Sequence, residues 1–236
     1  MNTMYDVVFC IKAYKRPHAL ANLRDSIRWY YPNAFVSVNE WPGIDTGRNE
    51  MVRTSNLPFL LMLDDDFLFT GETSIEDLLI EMDDPTVGIV AGVVIDNMQD
   101  GERVARNSGG TMRIENGYVH LDKRLPEHGK YTDVTPNFCL IRRSVFDTCR
   151  YRWGIGAEHL DFFMQVKDAG WRVVQLDSVS IDHYPFSPAL PGYKAARWDV
   201  GGNILSFLNH WNLNGIIVNG KIVHSRPMGE PCLKSS

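Results

Sequence analysis

The fold is decided by Pro58-Phe59-Leu60-Leu61-Met62-Leu63-Asp64-Asp65-Asp66-Phe67-Leu68-Phe69 (residues 58–69). The apolar run 59–63 has the length and continuity typical of a strand that is buried on both faces of a sheet. Three carboxylates follow it directly, before a second apolar segment. The stretch therefore predicts a central strand that carries acidic side chains to the carboxyl end of a sheet, where open α/β sheets bind their ligands.

Strands and helices alternate on either side of this stretch. Strands are predicted at 5–11, 34–38, 59–63 and 87–95, and helices at 17–30, 48–56 and 74–82. Beyond them, hairpin-like excursions are expected at 96–122, a strand at 134–141, a helix at 158–169 and a strand at 172–176. This alternation predicts an α/β fold with a Rossmann-like, mixed but mostly parallel sheet flanked by helices.

The pattern changes after Pro185. A loop rich in proline and glycine leads to a predicted helix at 198–211, and Asn219-Gly220 joins two short strands with a strong hairpin signal. A segment of roughly 50 residues is small for an independent core. We therefore expect one domain at 1–185 and a small C-terminal helix-hairpin extension, 186–236, packed on the same domain.

Composition argues mildly against nucleic acid and anionic membranes as partners. The 236 residues carry 24 basic and 29 acidic side chains, so no broad basic field predicts binding to nucleic acid or to an anionic membrane. The four cysteines are scattered, without C-x-x-C spacing, which favours a reducing compartment. No apolar run approaches the ~20 residues that a membrane span needs. We expect a cytoplasmic protein without a membrane span, while its oligomeric state stays open.

The acidic triplet is a candidate metal site. In an extended segment, alternate side chains point the same way, so Asp64 and Asp66 are expected on one face and Asp65 on the other. Mg²⁺ and Mn²⁺ prefer such oxygen ligands, together with water and substrate phosphates. The alternative is a solvated acidic turn that caps the helix at 74. Large apolar residues on both sides of the triplet argue against a solvated turn.

An apolar strand, an Asp-x-Asp and an aromatic residue together resemble the donor site of glycosyltransferases with the GT-A fold, including family 2-like enzymes. Gly47-Arg48-Asn49 resembles the segment that precedes this strand in many of them, and residues 63–70 are especially similar to β-1,4-N-acetylgalactosaminyltransferases. The resemblance implies that Asp66 binds a Mn²⁺ or Mg²⁺ ion directly. It implies that Asp64 contacts the ion through water or contacts the ribose, and that His183, at the end of a strand, is a further metal ligand.

A second motif, Trp153-Gly154-Ile155-Gly156-Ala157-Glu158-His159-Leu160-Asp161, resembles the Trp-Gly-x-Gly-Gly-Glu-Asp-x-Asp segment of β-1,4-galactosyltransferases. Thr135-Pro136-Asn137-Phe138 is again similar to the N-acetylgalactosaminyltransferases. The resemblance implies an inverting single displacement at the anomeric carbon, for which a base must take the acceptor proton.

The base is expected among Glu158, His159 and Asp161. His159 stands where the galactosyltransferases carry their catalytic aspartate, so the choice stays open, with the two acids favoured and the histidine a serious rival because it titrates near neutrality. The alternative interpretation makes Glu158 and Asp161 acids favoured by the helix dipole and His159 a surface residue.

The resemblance also implies where the donor nucleotide binds. The loop 12–16 follows the first strand, where the family binds the nucleotide, and Asn39-Glu40 ends the second strand, where the family often has a base-contacting acid. The predicted donor-binding residues are Lys12, Tyr14, Arg16, Asn39, Arg48, Asp64 and Asp65. A UDP-sugar is the expected donor. The alternative for the basic cluster in the loop is an ordinary solvated segment.

Two other functions share parts of this pattern. A sugar-nucleotide nucleotidyltransferase would use a similar fold and paired aspartates, but a Gly-rich phosphate loop should then follow the first strand, and residues 12–18 contain no glycine. A non-catalytic carbohydrate-binding module of GT-A type would have no need of both acidic motifs. The sequence favours a hexosyltransferase acting on a carbohydrate or another hydroxyl acceptor, for which a modified DNA base is one candidate.

Overall fold

The computed structural model describes residues 2–106, 109–123, 131–193 and 204–226. The strands are β1 (Val7–Lys12), β2 (Phe35–Asn39), β3 (Phe59–Asp64), β4 (Phe67–Leu68), β5 (Val87–Asn97), β6 (Arg103–Ala105), β7 (Gly110–Glu115), β8 (Tyr118–Lys123), β9 (Tyr131–Thr132), β10 (Cys139–Arg142), β11 (Arg172–His183), β12 (Gly215–Val218) and β13 (Lys221–Ser225). The helices are α1 (Pro17–Tyr30), α2 (Ile44–Thr54), α3 (Ile75–Glu81), α4 (Glu158–Asp168) and α5 (Ile204–His210), and two short 3-10 helices lie at Met4–Asp6 and Arg143–Asp147.

The main sheet has the strand order β2-β1-β3-β10-β5-β11-β4, with β6 paired to β5 and β9 to β11. The strands β2, β1, β3, β5 and β11 run in one direction, and β10 is inserted antiparallel between β3 and β5. The predicted α/β fold with a mixed, mostly parallel sheet is confirmed. Because these five strands share a direction, their carboxyl ends lie along one edge of the sheet.

Alternate residues of each central strand pack into opposite cores. On β3, Leu61 and Leu63 join α1 and α3 on one face, while Leu60 and Met62 join α4 and α5 on the other. Helix α1 begins at a proline, whose fixed φ suits the first turn, and contributes Leu20, Leu23 and Ile27 to its core. A fully buried leucine contributes ~2 kcal/mol to the free energy of folding. The continuous apolar strand therefore stabilises the sheet between the two cores.

The C-terminal part extends a second, four-stranded sheet of order β13-β12-β8-β7. β12 runs parallel to β8, and β12 and β13 form the predicted hairpin, with positive φ at Asn219 (48°) and Gly220 (78°) as a tight primed turn requires. Phe207 and Leu208 of α5 are fully buried in the same core as α4. Of the predicted helix 198–211, the first residues lie outside the described ranges, and the remainder is observed from Ile204.

Three predicted boundaries differ from the structure by four residues or more. Helix α2 begins at Ile44 rather than 48, after Gly43, whose φ of 99° turns the chain into the helix. Strand β10 begins only at Cys139, since Pro136 has no N–H to donate to a ladder. β11 continues to His183, beyond the predicted end at 176, across a register shift between Gln175 and Ser180. Among the described residues, no helix is both long and apolar enough to cross a bilayer.

Candidate functional site

The predicted site residues gather at the carboxyl edge of the main sheet. Lys12, Asn39, Asp64 and His183 are the last residues of β1, β2, β3 and β11. The register aligns Lys12 with both Asn39 and Asp64, and β4 pairs antiparallel with the end of β11 so that Phe67 faces His183. The topology therefore brings together residues that lie far apart in the sequence.

The acidic triplet is a turn, not an extended segment. β3 ends at Asp64, the next two residues turn, and pairing resumes at Phe67. As a result Asp65 and Asp66 both contact Arg16, while Asp64 contacts other residues. The prediction that Asp64 and Asp66 share a face is wrong, because the alternation of side chains holds only while the backbone stays extended.

The alternative of a solvated acidic turn does not match the structure either. Asp65 and Asp66 are buried, and the helix that begins at Ile75 is capped by Ser74, whose Oγ accepts a hydrogen bond from the backbone N–H of Asp77 at 3.2 Å. The triplet thus belongs to the edge of the sheet and not to that helix.

Asp64 is held by two residues from different elements. Its Oδ1 lies 3.2 Å from Nη2 of Arg48, and its Oδ2 accepts a hydrogen bond from Nδ2 of Asn137 at 2.9 Å. Arg48 is buried on α2 with its guanidinium 5.0 Å from the ring centroid of Tyr151. The side chain of Asp64 is 30% exposed, which makes it the most accessible carboxylate of the triplet.

Asp65 and Asp66 form a buried charge cluster with Arg16. Nη1 of Arg16 makes a close ion pair with Asp66 and lies 3.4 Å from Oδ1 of Asp65, whose Oδ2 accepts a hydrogen bond from the backbone N–H of Tyr14 at 3.1 Å. Burial raises the pKa of Asp65 to about 6. Burial also opposes ionisation of Asp66, but His183 and Arg16 outweigh it and keep the pKa of Asp66 below its usual value.

His183 lies between two carboxylates. Its Nε2 is 3.2 Å from Oδ2 of Asp66, and its Nδ1 is 2.6 Å from Oδ1 of Asp96, which lies near the end of β5. The ring packs edge-on against Phe67, with the ring centroids 5.6 Å apart. Asp96 is also paired with Arg106, whose Nη2 lies 2.6 Å from Oδ1 of Asp96 and 2.6 Å from Nδ1 of His183.

These side chains fit a hard divalent cation in part. Adjacent ligands of an octahedral ion with ~2.1 Å bonds lie about 3 Å apart, close to the spacing between Asp66 and His183. Within residues 2–106, 109–123, 131–193 and 204–226, no group of three or more His, Cys, Asp or Glu is arranged around a common metal position. Oxygen atoms from water and phosphate would have to complete the shell, as is usual for Mg²⁺.

The remaining donor-site predictions fall near this edge. Lys12 is buried, and its Nζ donates to the backbone carbonyls of Ala13 at 2.9 Å and Trp41 at 2.6 Å, so it ties the ends of β1 and β2 together. Burial lowers the pKa of Lys12 to about 8. Asn39 is buried, with its Oδ1 accepting from the N–H of Trp41 at 3.1 Å, and Tyr14 is partly exposed in the loop after β1.

The segment 47–49 on α2 contacts two other parts of the chain. Arg48 contacts Asp64 at the end of β3, with Nη2 3.2 Å from Oδ1. Next to it, Asn49 exchanges two hydrogen bonds with the backbone of Tyr151, at 2.6 and 3.1 Å. The segment therefore holds the end of β3 and the chain that leads into the second motif.

The three candidate bases at the start of α4 have different surroundings. Asp161 is 0% exposed, and its oxygens are bound by Trp211 Nε1 at 2.8 Å, Gln165 Nε2 at 2.9 Å and Arg152 Nη1 at 3.3 Å. Burial raises its pKa. Asp161 thus faces α5 and the residues around it, with its acceptor capacity used by neighbours.

His159 lies against a backbone carbonyl. Its Nε2 is 2.6 Å from the carbonyl oxygen of Thr135, which can only accept, so Nε2 carries the hydrogen. Its Nδ1 is inaccessible and has no hydrogen-bond partner among the described residues. Burial, with Arg48 nearby, lowers the pKa of His159 to about 4 and keeps the ring neutral at pH 7. Glu158 is partly exposed at the first position of the helix.

Sequence reasoning missed three residues of this site. Asn137 contacts Asp64 and lies in a motif that was noted without a role, while Asp96 and Arg106 contact His183. Asp96 directly follows the predicted strand 87–95, so a search for polar residues at the carboxyl ends of all predicted strands would have found it. Arg106 reaches the site through the pairing of β6 with β5, which no local pattern indicates.

Comparison with known proteins finds similar sequences among glycosyltransferases. The profile described as Glycosyl transferase family 2 matches residues 12–150. Among curated proteins, Beta-1,4 N-acetylgalactosaminyltransferase 2 of Mus musculus is 31% identical over 111 residues, which cover 39% of this chain and 22% of that protein. The match spans about a fifth of the relative's length.

Solved structures show the same fold at low sequence identity. The mannosyltransferase PcManGT from Pyrobaculum calidifontis, in complex with GDP-Man and Mn²⁺, is 14% identical with a TM-score of 0.51, over 81% of this chain and 59% of that one. TarS 1–349 of S. aureus is 11% identical with a TM-score of 0.54, over 88% and 65%. GalNAc-T7 with UDP, GalNAc and Mn²⁺ is 11% identical with a TM-score of 0.51, over 79% and 44%. The predicted GT-A-like fold is confirmed.

Proposed function

The chain belongs to glycosyl transferase family 2, and from that premise we propose that it is a metal-dependent, inverting hexosyltransferase. It transfers a sugar from a nucleoside-diphosphate sugar, in our proposal a UDP-sugar, to an acceptor hydroxyl. The observation that carries the proposal is the contact of Asp66 with His183 at the carboxyl edge of the sheet, where β3 ends at Asp64.

The donor half of the proposal rests on charge. We propose Asp66 and His183 as the ligands of Mn²⁺ or Mg²⁺, with Asp64 contacting the ion through water or contacting the ribose. When bound, such an ion neutralises the nucleoside diphosphate that leaves. Arg16 and Lys12 bring two more positive charges to the loop after β1, and Arg16 Nε has no hydrogen-bond partner among the described residues. A phosphate oxygen would satisfy that buried donor.

On the acceptor side, we propose that Glu158 is the catalytic base. In this proposal its carboxylate takes the proton of the acceptor hydroxyl, the freed oxygen forms the new bond to the anomeric carbon, and the bond to the diphosphate breaks with its electron pair on the phosphate oxygen. Asp161 is buried and hydrogen-bonded on both oxygens. In His159, Nε2 donates its hydrogen to the carbonyl of Thr135, and Nδ1 is inaccessible, so neither nitrogen is free to accept the proton. Attack on the face opposite the leaving group inverts the configuration.

The names of similar proteins guide the choice of substrate. One structural neighbour is in complex with GDP-Man and another with UDP, and the curated relative is named for N-acetylgalactosamine transfer. We propose a UDP-hexose or UDP-N-acetylhexosamine donor and a sugar hydroxyl as acceptor, with a hydroxylated DNA base as a second candidate. We also propose that 186–236 act as an extension of the single domain, and that the protein works in the cytoplasm.

A donor-hydrolysis assay tests the proposal. The full chain is incubated with a panel of UDP- and GDP-sugars and Mn²⁺, and nucleotide release to water is measured with and without excess chelator. We expect release that the chelator stops and that Asp66→Asn abolishes without unfolding the protein. Asp182→Asn is the matched control, because Asp182 neighbours His183 on β11 but pairs with Arg103 at 2.7 Å. Full turnover in chelator would overturn metal dependence.

The same assay separates the rival functions. A nucleotidyltransferase would instead release pyrophosphate from a nucleoside triphosphate and a sugar phosphate, and a binding module would bind the donor without releasing nucleotide. Once an acceptor is found, NMR of the product decides the stereochemistry. A β-linkage from an α-linked donor is expected, and an α-linkage would rule out single displacement.

A further inference from the structure

Asp96 lies behind the histidine of the proposed metal pair. It is the residue before the last of β5, next to β11, and its register partner there is His183. Its Oδ1 is 2.6 Å from Nδ1, the ring nitrogen that points away from Asp66. Arg106 holds Asp96 in turn through two contacts, Nε to Oδ2 at 3.2 Å and Nη2 to Oδ1 at 2.6 Å. The chain Arg106, Asp96, His183, Asp66 is continuous from the surface to the triplet.

The two neighbours of Nδ1 require different hydrogen positions. A carboxylate accepts, so contact with Asp96 needs a hydrogen on Nδ1 and leaves a lone pair on Nε2. A guanidinium only donates, so a hydrogen bond from Arg106 to the same nitrogen would need a lone pair there and a hydrogen on Nε2. Only the first arrangement lets Nε2 bind a cation beside Asp66. In the first arrangement Arg106 still donates to Asp96 through both Nε and Nη2.

We propose that Asp96 is a positioning residue that fixes His183, through Nδ1–H, as a metal ligand with Nε2 directed at the ion beside Asp66. The inference rests on the proposed function, since it requires the metal pair Asp66 and His183. Histidine ligands in metalloproteins generally donate their other N–H to such a partner, and loss of the partner typically lowers metal affinity about 10- to 100-fold. Phe67 packs against the same ring and limits its rotation.

Mn²⁺ binding tests the inference without relying on turnover. Affinity is measured by electron paramagnetic resonance on the full chain, with Mn²⁺ alone and with UDP, for the wild type, Asp96→Asn, Asp96→Glu and Asp182→Asn. We expect Asp96→Asn to bind Mn²⁺ about 10-fold or more weakly, Asp96→Glu to recover part of the loss because it keeps the carboxylate, and Asp182→Asn to stay within about threefold of the wild type. Thermal unfolding of the metal-free variants checks that each is folded.

A spectroscopic measurement separates positioning from a general weakening of the site. Electron spin echo modulation detects the ¹⁴N nuclei of an imidazole bound to Mn²⁺, and we expect this signal in the wild type, its loss in His183→Ala and its reduction in Asp96→Asn. Unchanged affinity and an unchanged nitrogen signal in folded Asp96→Asn would overturn the role of Asp96. A wild type that binds Mn²⁺ without a nitrogen signal, or not at all, would instead overturn the metal pair of the proposed function.

Discussion

The two acidic motifs of this protein use their carboxylates in different ways. At residues 64–66 all three side chains stay at one edge of the sheet, each next to a cation contributed by another element. At the start of α4, Asp161 is enclosed by neighbours and Glu158 is partly exposed. Positive charge surrounds the first motif, whereas only one carboxylate of the second remains available for chemistry.

The difference follows from the backbone. A turn at the end of a parallel strand presents successive side chains to the segments that meet there, so each carboxylate of the triplet contacts an arginine. A helix distributes successive side chains around its axis, so one residue faces solvent while another faces the core. Similarity of sequence to an active-site motif therefore says less about function on a helix than at the end of a strand.

The largest expected effect distinguishes Glu158 from the triplet. Glu158→Gln should lower kcat about 10²- to 10⁴-fold with little change in the donor KM, since proton removal is needed in the transition state but not for donor binding. Asp66→Asn should act mainly on donor and metal binding. Steady-state kinetics on both variants measure the contrast, and a Glu158→Gln enzyme that keeps at least a third of wild-type kcat would show that the base lies elsewhere.

The next effect concerns Asp161, which we expect to stabilise the fold and not to take part in the reaction. Asp161→Ala removes the buried partner of Trp211, Gln165 and Arg152, and should lower the free energy of unfolding by about 2–4 kcal/mol. Asp168→Ala, at an exposed position of the same helix, should change it by less than about 0.5 kcal/mol. Urea unfolding measures both.

Catalysis by the folded Asp161 variant sharpens the contrast further. At a temperature where Asp161→Ala is folded, we expect kcat within about threefold of the wild type, because the side chain is enclosed and its oxygens are bound by neighbours. A loss of 100-fold or more in the folded variant would return Asp161 to the list of candidate bases.

The smallest effect is a pH dependence of stability from His159. Its pKa is about 4 in the folded protein against an ordinary value of 6.5, so on acidification the unfolded chain takes up the proton first. The contribution of neutral His159 to the free energy of unfolding is therefore fully present above pH 6.5. It is lost as the pH falls from 6.5 to about 4, and the loss is on the order of 2 kcal/mol once solvent screening is allowed for.

His159→Gln should therefore reduce the difference in unfolding free energy between about pH 7 and about pH 4.5, whereas the control His224→Gln, at an exposed position of β13, should leave it unchanged. Equal pH profiles for His159→Gln and the wild type would mean that His159 is ordinarily solvated. A kinetic limb near pH 6–7 that disappears in His159→Gln would make the histidine the base.

Local patterns predicted the sheet and the place of the site. The helix 17–30 was predicted to the residue, and the apolar run before Asp64 and the prediction that a strand ends near His183 were enough to place two metal-site candidates at one sheet edge. What could not be predicted depends on contacts between distant parts of the chain. One is the turn that brings Asp65 and Asp66 both into contact with Arg16, and another is the hydrogen bond between Asp161 and Trp211. Those contacts arise from packing that no local window contains.

Arg16 places a buried positive charge beside the proposed metal ligand. Its guanidinium is bound to Asp66, the carboxylate proposed for the metal, and packs 4.4 Å from the ring centroid of Tyr193. A divalent cation that arrives alone must compete with that charge, whereas one that arrives with a diphosphate brings oxygen atoms that Arg16 can bind instead. Each ligand should then raise the affinity for the other by the same factor, as linkage requires. We expect UDP to tighten Mn²⁺ binding about 5-fold or more in calorimetric titrations, and Arg16→Gln to shrink that factor; equal Mn²⁺ affinities with and without UDP would mean that Arg16 stays on Asp66 throughout.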